Sequence, residues 1–573
     1  GTAGPRALRC LFEHPSQTLV ADQPEQVAPL LARIEQLARQ GWWCVGYLRY
    51  EAAIAFDPAL RTQAADGPLA WFGVFAQAQP WPHDDPARPE TASATHVQWH
   101  STLSRTDFDE KLARIHHAIA AGEYYQLNYT APLLGTFSGD PLTLFHRLQR
   151  AQPGGYGAYI DTGDEQVLSV SPELFFDWQD ERILTRPMKG TAARGSTAQE
   201  DQAQARQLAT SAKDRAENVM IVDLLRNDLS RIAVPHSVQV PALFQVQTLP
   251  TVLQMVSDVR ARTRDGTTLA QVFAALFPCG SITGAPKAAA MQAICELEHG
   301  PRGVYCGSIG VVRPGGHATF SVAIRTLTRQ GPQVRCGIGS GITWDALADA
   351  EWQEWLTKRA FALRASTDFC LLETLRLENG QFQHLDAHLL RLQGAAQHFG
   401  YRFEPEHIAA ALQQARAGVG TSARRVRLQL QAHGQVQCDT FPLADTPVPV
   451  TLALATHCHD QAHSEFTRFK TSQRSHYEAF APTDPRVFDT VLYNTRHELT
   501  ECTRGNIALL LDGQWVTPAL SCGLLPGIGR AHWLQQGRLR EALIRVDDLS
   551  RAQDLAFINS LRGWLPARLL APH

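Results

Sequence analysis

The chain alternates stretches of helical spacing with stretches of strand-like runs. QVAPLLARIEQLARQG (26–41) places apolar residues three to four apart and stops at Gly41, which predicts a helix. WWCVGYLRYEAAIAF (42–56) predicts a strand entering a turn, and the proline-rich polar tract QAQPWPHDDPARPETAS (77–93) predicts a loop. A helix is expected from Ser104 or Thr106 to about Gly122, with Asp107, Asp109 and Glu110 favouring its N-terminus. GEYYQLNYTAPL and SVSPELFFDW (Ser169–Trp178) each read as one strand, and FFDWQDERILTR as strand, turn, strand. The long helix over SAKDRAENVMIVDLLRNDLSRI is expected to be largely buried, because MIVDLL follows its charged start directly. FPCGSITGAPKAAAMQAICELE reads as a turn leading into a helix, then YCGSIGVV and TFSVAIRTLTR as paired strands. Near Ser366 the pattern restarts with a hairpin and helix in CLLETLRLENGQFQHLDAHLLRL. That change divides the chain into 1–365 and 366–573 without a long linker.

Composition narrows the classes. A length of 573 residues implies more than one domain, and 44% hydrophobic residues can fill large cores. A net charge of -3 provides no basic field for nucleic acid. No run approaches the ~18 apolar residues of a membrane span. The start, GTAGPRALRC, has no apolar signal core and no initiator methionine. The eleven cysteines form no CxxC pair and are odd in number, which fits reduced thiols in a cytoplasm. No repeat or low-complexity tract is present.

Several residues carry candidate chemistry. Lys189, in TRPMKGT, is expected where a strand ends, as either a solvated charge or a tuned nucleophile. Glu173 lies a short hairpin away, and an acid beside an amine can serve proton transfer and attack on one substrate. Asp214 and Glu217 share a helix face, as do Glu351 and Glu354; two such pairs offer oxygens suited to Mg²⁺, or form exposed charged faces. Arg226, Asn227 and Asp228 suggest an internal polar network, and Arg325 inside an apolar run wants an anionic partner. GIGSG (337–341) is an incomplete dinucleotide pattern without βαβ context. THCHD (456–460) holds His457, Cys458 and His459, but adjacent ligands on a short segment seldom face one ion.

Taken together, GEYYQLNYT, SPELF, KDRAENVMIVDLLRNDLSR, FPCGSITGAPKAAAM, YCGSIG, AIRTL and GIGSGI followed by DAEWQE resemble the chorismate-utilising enzymes. The resemblance implies an α+β fold, a large β-sandwich with helices, over residues 1–365. It implies Mg²⁺ held by Asp214, Glu217, Glu351 and Glu354, with chorismate contacted by Arg325, amides near Gly339, and Thr283. TRPMKGT is similar to the aminodeoxychorismate synthase branch, where anthranilate synthases usually carry alanine at the position of Lys189. In that branch the lysine attacks C2 of chorismate, the residue matching Glu173 protonates the departing C4 hydroxyl, and ammonia enters at C4 and expels the lysine. Gln254, in VLQMVS, departs from a histidine that anthranilate synthases link to pyruvate elimination.

The tail resembles the fold-type IV pyridoxal phosphate enzymes, an α/β domain pair. Lys470 in FKTSQR matches the lysine that holds the cofactor, and Glu501 the carboxylate facing the pyridine nitrogen. Arg391, Ile528, Gly529 and Ser560 match phosphate-contacting positions; Gly529 departs from a frequent threonine. These motifs specify the cofactor but not lyase against transaminase. The fusion favours a lyase, and hence a bifunctional route from chorismate to 4-aminobenzoate for folate synthesis. One rival is an anthranilate synthase fused to an aminotransferase, against which Lys189 and Gln254 argue. The other is a catalytically silent subunit, against which the intact site residues argue. No glutaminase elbow is visible, so ammonia is expected from solution or from a separate glutamine amidotransferase subunit, and a homodimer through the tail is an open expectation.

Overall fold

A computed structural model describes residues 8–81, 95–193, 198–248, 252–417 and 420–570. The loop expected over 77–93 lies outside the described residues from residue 82 onward. The chain divides into two compact units, Gly1–Asp368 and Phe369–His573. No helix among the described residues is long and apolar enough to cross a membrane, and all eleven cysteines are unbridged.

Eight elements position the site of the first unit. They are β1 (Gln126–Ser138), β2 (Leu174–Gln179), β3 (Arg182–Arg186), β4 (Met188–Ala193), α1 (Ala212–Ser230), β5 (Val252–Arg262), β6 (Gln333–Ile342) and α2 (Ala348–Ala365). Two largely antiparallel sheets carry them. One runs β4, β5, β3, β2, then Ala318–Val322, Ser308–Val312, Trp43–Leu48, Ala70–Phe75 and Gln17–Ala21, with Gln239–Thr248 also paired to β5. The other runs Gly284–Ala285, β1, β6, Thr326–Gln330, Gln166–Ser171 and Tyr156–Asp161, with His96–Ser101 on β1. Phe175, Phe176, Phe273, Phe277 and Phe320 fill the core of the first sheet, and Phe108, Tyr129 and Trp355 that of the second. Aromatic rings of this size dominate burial energetics, at ~150–250 Å² each.

Three local expectations change. SVSPELFFDW is not one strand. Gln166–Ser171 belongs to the second sheet and β2 to the first, and the chain crosses between them at Pro172–Glu173. Pro172 has no N–H to continue a ladder, so the break falls there and leaves Glu173 between the sheets. Lys189 is not at a strand end but inside β4, whose pairing with β5 shifts register between Met188 and Thr191. Arg226 and Asn227 are exposed, Arg226 pairing with Asp223 at 2.9 Å; only Asp228 is internal, bound by Lys287 at 3.1 Å. The alternation of that helix turns residues 226 and 227 outward while 225, 228 and 229 face the core.

In the second unit a four-stranded sheet orders Gln381–Phe382, β7 (Leu371–Glu378), β8 (Arg424–Leu430) and Val436–Pro442, covered by helix α3 (Leu385–Phe399). A mixed eight-stranded sheet runs from Leu499–Cys502 through Asp489–Tyr493, Val450–Leu454, Gly563–Leu569, Asp554–Asn559, Asn506–Leu511 and Gln514–Pro518 to Arg540–Ala542. Helix α4 (Ile528–Gln535) packs on it.

Two candidate active sites

In the first unit, β4 ends the sheet among the described residues and bulges at Lys189–Gly190. Gly190 has φ +90°, a conformation L side chains rarely adopt, and a Cβ there would meet Asp214 Oδ1 at 3.0 Å. Glycine thus lets α1 approach the bulge. Gln254 on β5 clamps it: its Nε2 donates to the Gly190 carbonyl (2.8 Å) and its Oε1 accepts from the Thr191 hydroxyl (2.9 Å). Gln254, which stands where anthranilate synthases carry a histidine, thus holds the strand bulge bearing Lys189.

Lys189 Nζ points at Gly341 on β6, where a Cβ would lie 2.9 Å from it, and stands 3.7 Å from Glu217 Oε2. Glu173 is 4% exposed and accepts a hydrogen bond from the Ser281 hydroxyl at 2.9 Å. Burial pushes its carboxyl up to about 7, against the opposing pull of Ser281, the Lys189 ammonium and the Met188 N–H. A carboxyl half-neutral near pH 7 is equipped to give a proton. Ser281 and Gln126 were not singled out from sequence. Both side-chain polar atoms of Gln126 are buried without a partner, and its Nε2 lies 2.6 Å from the same absent Cβ of Gly341. An unpartnered buried amide beside an amine marks the wall of a polar ligand site.

The four acidic residues face the same region from α1 and α2. Glu351 accepts from Ser340 (2.5 Å), and burial raises its carboxyl. Glu354 pairs with Lys358 (2.6 Å) and is lowered: the cations of Lys358, Lys189 and Lys213 outweigh its burial. Glu217 lies between Lys189 and Lys213 (3.9 Å). An all-oxygen set of carboxylates suits a hard divalent cation, yet their present contacts are ammonium groups and a hydroxyl. Among the described residues no three His, Cys, Asp or Glu groups converge in a metal-holding cluster. Lys358, also unflagged by sequence, lies in the same region. Its Nζ donates to the Gly339 carbonyl (2.8 Å), and its own carbonyl accepts from Arg325 Nη1. Arg325 stands over the Phe361 ring at 5.2 Å. Thr283 is fully buried and donates to the Cys279 carbonyl (3.1 Å) within its own turn.

In the second unit the Lys470 carbonyl accepts from Leu372 N–H of β7 (2.9 Å). Burial, then the cations of Arg391 and Arg474, lower its amine to about 8. Glu501 is 3% exposed; it accepts from the Tyr477 hydroxyl (2.7 Å) and the Leu525 N–H (3.2 Å), and burial raises it to about 8. Among the described residues this buried carboxyl has hydrogen bonds but no ion-paired cation, as suits a residue facing a protonated ring nitrogen. Arg391 donates to both oxygens of Glu373 (2.8 and 2.7 Å) and to the Pro526 carbonyl (3.1 Å), which sets it beside the turn that starts α4. Gly529 sits so close to the Asn559–Ser560 backbone that a Cβ would meet the Asn559 carbonyl carbon at 2.7 Å. Ile528, Gly529 and Ser560 therefore line one small cradle of backbone groups, fit for a phosphate at a helix N-terminus. Glu373 was missed because it hides in the apolar run LLETL; Arg391 and then His388 overcome its burial and hold its carboxyl at about 2. His459 of THCHD is buried and stacked at 5.7 Å on His476, both pushed to about 4 by burial, while His457 is exposed.

The family of chorismate binding enzymes matches residues 5–364, and amino-transferase class IV matches residues 370–570. Aminodeoxychorismate synthase component 1 of Salmonella typhimurium is 43% identical over 260 residues, 45% of this chain and 57% of the relative. Anthranilate synthase component 1 of Aquifex aeolicus is 34% identical over 267 residues, 47% of this chain and 54% of the relative. The chain thus spans a little over half the length of these curated relatives. The crystal structure of anthranilate synthase component I from Streptococcus pneumoniae superposes with a TM-score of 0.55 at 22% identity, covering 63% of this chain and 94% of that one. That likeness is one of fold.

Proposed function

The chain belongs to the family of chorismate binding enzymes, and from this premise we propose that it makes 4-aminobenzoate from chorismate in two steps, one in each unit. The observation that carries the reading is Lys189. It stands on a clamped bulge, with its amine beside buried Glu173 and the unpartnered amide of Gln126. Curated relatives include both aminodeoxychorismate and anthranilate synthases, so overall similarity does not choose between them and the residue chemistry must.

In the first unit, the amine of Lys189 bonds to C2 of chorismate as the C4–O bond breaks. Glu173 supplies the proton with which the hydroxyl leaves as water. Ammonia then bonds to C4, the C2–N bond breaks and Lys189 is released; the new C4 ammonium returns a proton to Glu173, and the product is 4-amino-4-deoxychorismate. Asp214, Glu217, Glu351 and Glu354 are the residues we assign to Mg²⁺, whose charge would offset a substrate carboxylate. Arg325, Lys358 and the backbone near Gly339 are assigned to the other carboxylate, and Thr283 shapes the wall. Ammonia comes from solution or from a glutamine amidotransferase partner.

The second unit then loses pyruvate from this intermediate to leave 4-aminobenzoate, which balances all atoms and feeds folate synthesis. Pyridoxal phosphate, when bound, supplies an electron sink for the carbon bearing the amine. The chain's own residues hold and steer: Glu501 fixes the ring nitrogen, Arg391, Ile528, Gly529 and Ser560 hold the phosphate, and Lys470 moves the C4 proton. The lowered Lys470 amine is partly neutral near pH 8, as a base requires. The test is product analysis of Lys470→Ala supplied with chorismate, ammonium and Mg²⁺. It should consume chorismate and accumulate 4-amino-4-deoxychorismate, which an added active lyase converts to 4-aminobenzoate. If this variant still forms 4-aminobenzoate at the wild-type rate, the second unit is not the lyase. If wild type forms 2-aminobenzoate, the amination is misassigned.

A further inference from the structure

Arginines gather on one rim of the second unit. Arg376 on β7 and Arg425 on β8 are direct cross-strand partners, a placement in which like charges repel. Arg376 Nη1 donates to the Leu561 carbonyl (3.4 Å), and the next residue is Arg562, whose N–H donates to Asn559 Oδ1 (2.8 Å). Asn559 Nδ2 in turn donates to the Arg504 carbonyl (3.4 Å). Segments far apart in sequence thus bring four guanidinium-bearing residues together.

Their charge is not balanced. Arg376 pairs with Glu378 (3.1 Å) and Arg504 with Asp489 (3.4 Å). Arg425 and Arg562 have no acidic partner among the described residues. Arg425 lies over the Phe441 ring (4.6 Å), and Arg562 donates to the Ala444 carbonyl (3.0 Å) and the Thr446 hydroxyl. Arg562 is held below the ordinary guanidinium range, by burial first and then by Arg504, Arg425 and Arg376. Four guanidinium groups share two acids, so repulsion among them remains for an incoming anion to relieve, and their planar forks match carboxylates.

The rim borders the candidate cofactor pocket on two sides. Arg562 follows Ser560 by two residues. Arg504 follows Thr503, whose carbonyl accepts from Arg474 (2.5 Å), one of the cations facing Lys470. Leu371, Leu375 and Leu377 of β7 enter the apolar cluster under α3, so Thr374 and Arg376 occupy the opposite face. From Leu372, which touches the Lys470 backbone, to Arg376 is roughly 13 Å along the strand at ~3.3 Å per residue. A long side chain shortens that gap.

We infer that this arginine rim is the anion-binding part of the second unit's substrate site, and that it receives the carboxylates of an amine-bearing dicarboxylic acid whose amine is delivered to Lys470. The inference rests on the proposed lyase reaction, whose substrate carries two carboxylates, on its ring and on its enolpyruvyl group. It assigns Arg376, Arg425, Arg504 and Arg562 to substrate, separately from the residues around the phosphate cradle.

The test uses the full chain loaded with pyridoxal phosphate. Its visible absorption band reports on the second unit alone, even when a ligand also enters the first. The probe is 3-(1-carboxyvinyloxy)benzoate, an aromatic dicarboxylate without an amine. Wild type should show a saturable band shift. The half-effect concentration should rise about tenfold in Arg376→Gln and in Arg562→Gln, and further in the double variant, while Arg376→Lys, which keeps the charge but loses the fork, falls between wild type and Arg376→Gln. Added salt should weaken the wild-type response more than that of the double variant. In turnover, the KM for 4-amino-4-deoxychorismate should rise by a similar factor with kcat changed less than about threefold. Arg425→Gln, at an exposed strand position, gives the same readout if changing Arg376 disturbs the fold. Absence of a saturable shift in wild type, or an unchanged half-effect concentration in variants with an intact cofactor band, overturns the inference. A wild type that binds the probe but leaves 4-amino-4-deoxychorismate intact refutes the lyase reading, while the titration still decides the rim.

Discussion

Replacing Glu173 with glutamine should make the protein a poorer enzyme and a more stable one. The side chain is buried, and its carboxyl is raised from 4.5 to about 7. The folded state therefore holds this proton more tightly than the unfolded chain. Wild type loses stability as pH rises from 4.5 through about 7, and the full penalty remains above it. Moving the carboxyl from 4.5 to about 7, at ~1.4 kcal/mol per pH unit, costs the ionised folded state about 3–4 kcal/mol, an upper bound because the pocket can relax. Glutamine cannot ionise and still offers an oxygen to the Ser281 hydroxyl. The variant's advantage in stability should thus be near zero at pH 4.5 and approach that bound at pH 8. Amination should fall ~10²–10⁴-fold, the usual worth of a general acid. Thermal melts at both pH values, beside chorismate consumption with saturating ammonium, measure the two effects. An equal stability difference at both pH values, or amination within about threefold of wild type, would refute the reasoning.

Lys189→Ala should greatly slow amination while leaving equilibrium chorismate binding largely intact; unchanged turnover with ammonium present sinks the nucleophile. Chelation by EDTA should stop chorismate consumption and spare pyruvate release from supplied 4-amino-4-deoxychorismate, and chorismate consumption that persists would remove the metal from the mechanism. Gly529→Ala places a methyl 2.7 Å from the Asn559 carbonyl carbon, so pyridoxal phosphate should bind at least ~10-fold more weakly by absorbance titration, equivalent to about 1.4 kcal/mol. Affinity equal to wild type would show that the cradle lies elsewhere.

The sequence by itself determined the elements and the inventory of reactive side chains. Helical spacing marks the helix Pro24–Arg39, which Gly41 follows, and Ser211 caps the start of the helix carrying Asp214 and Glu217. These signals are local, because backbone geometry repeats over a few residues and burial follows the repeat. Lys189, Lys470 and Glu501 stand out because their motifs are short and contiguous. What only the tertiary structure decided is which side chains meet. The passage of Pro172–Glu173 from one sheet to the other strips water from Glu173 and turns an ordinary carboxylate into an acid near neutrality. Gln254 clamps the Lys189 bulge from 64 residues away. Glu373 holds Arg391 from inside an apolar strand, and Arg376 faces Arg425 only because two strands adopt one register. Such pairings depend on desolvation and on contacts distant in sequence, and a residue's ionisation is set by those neighbours rather than by its own type.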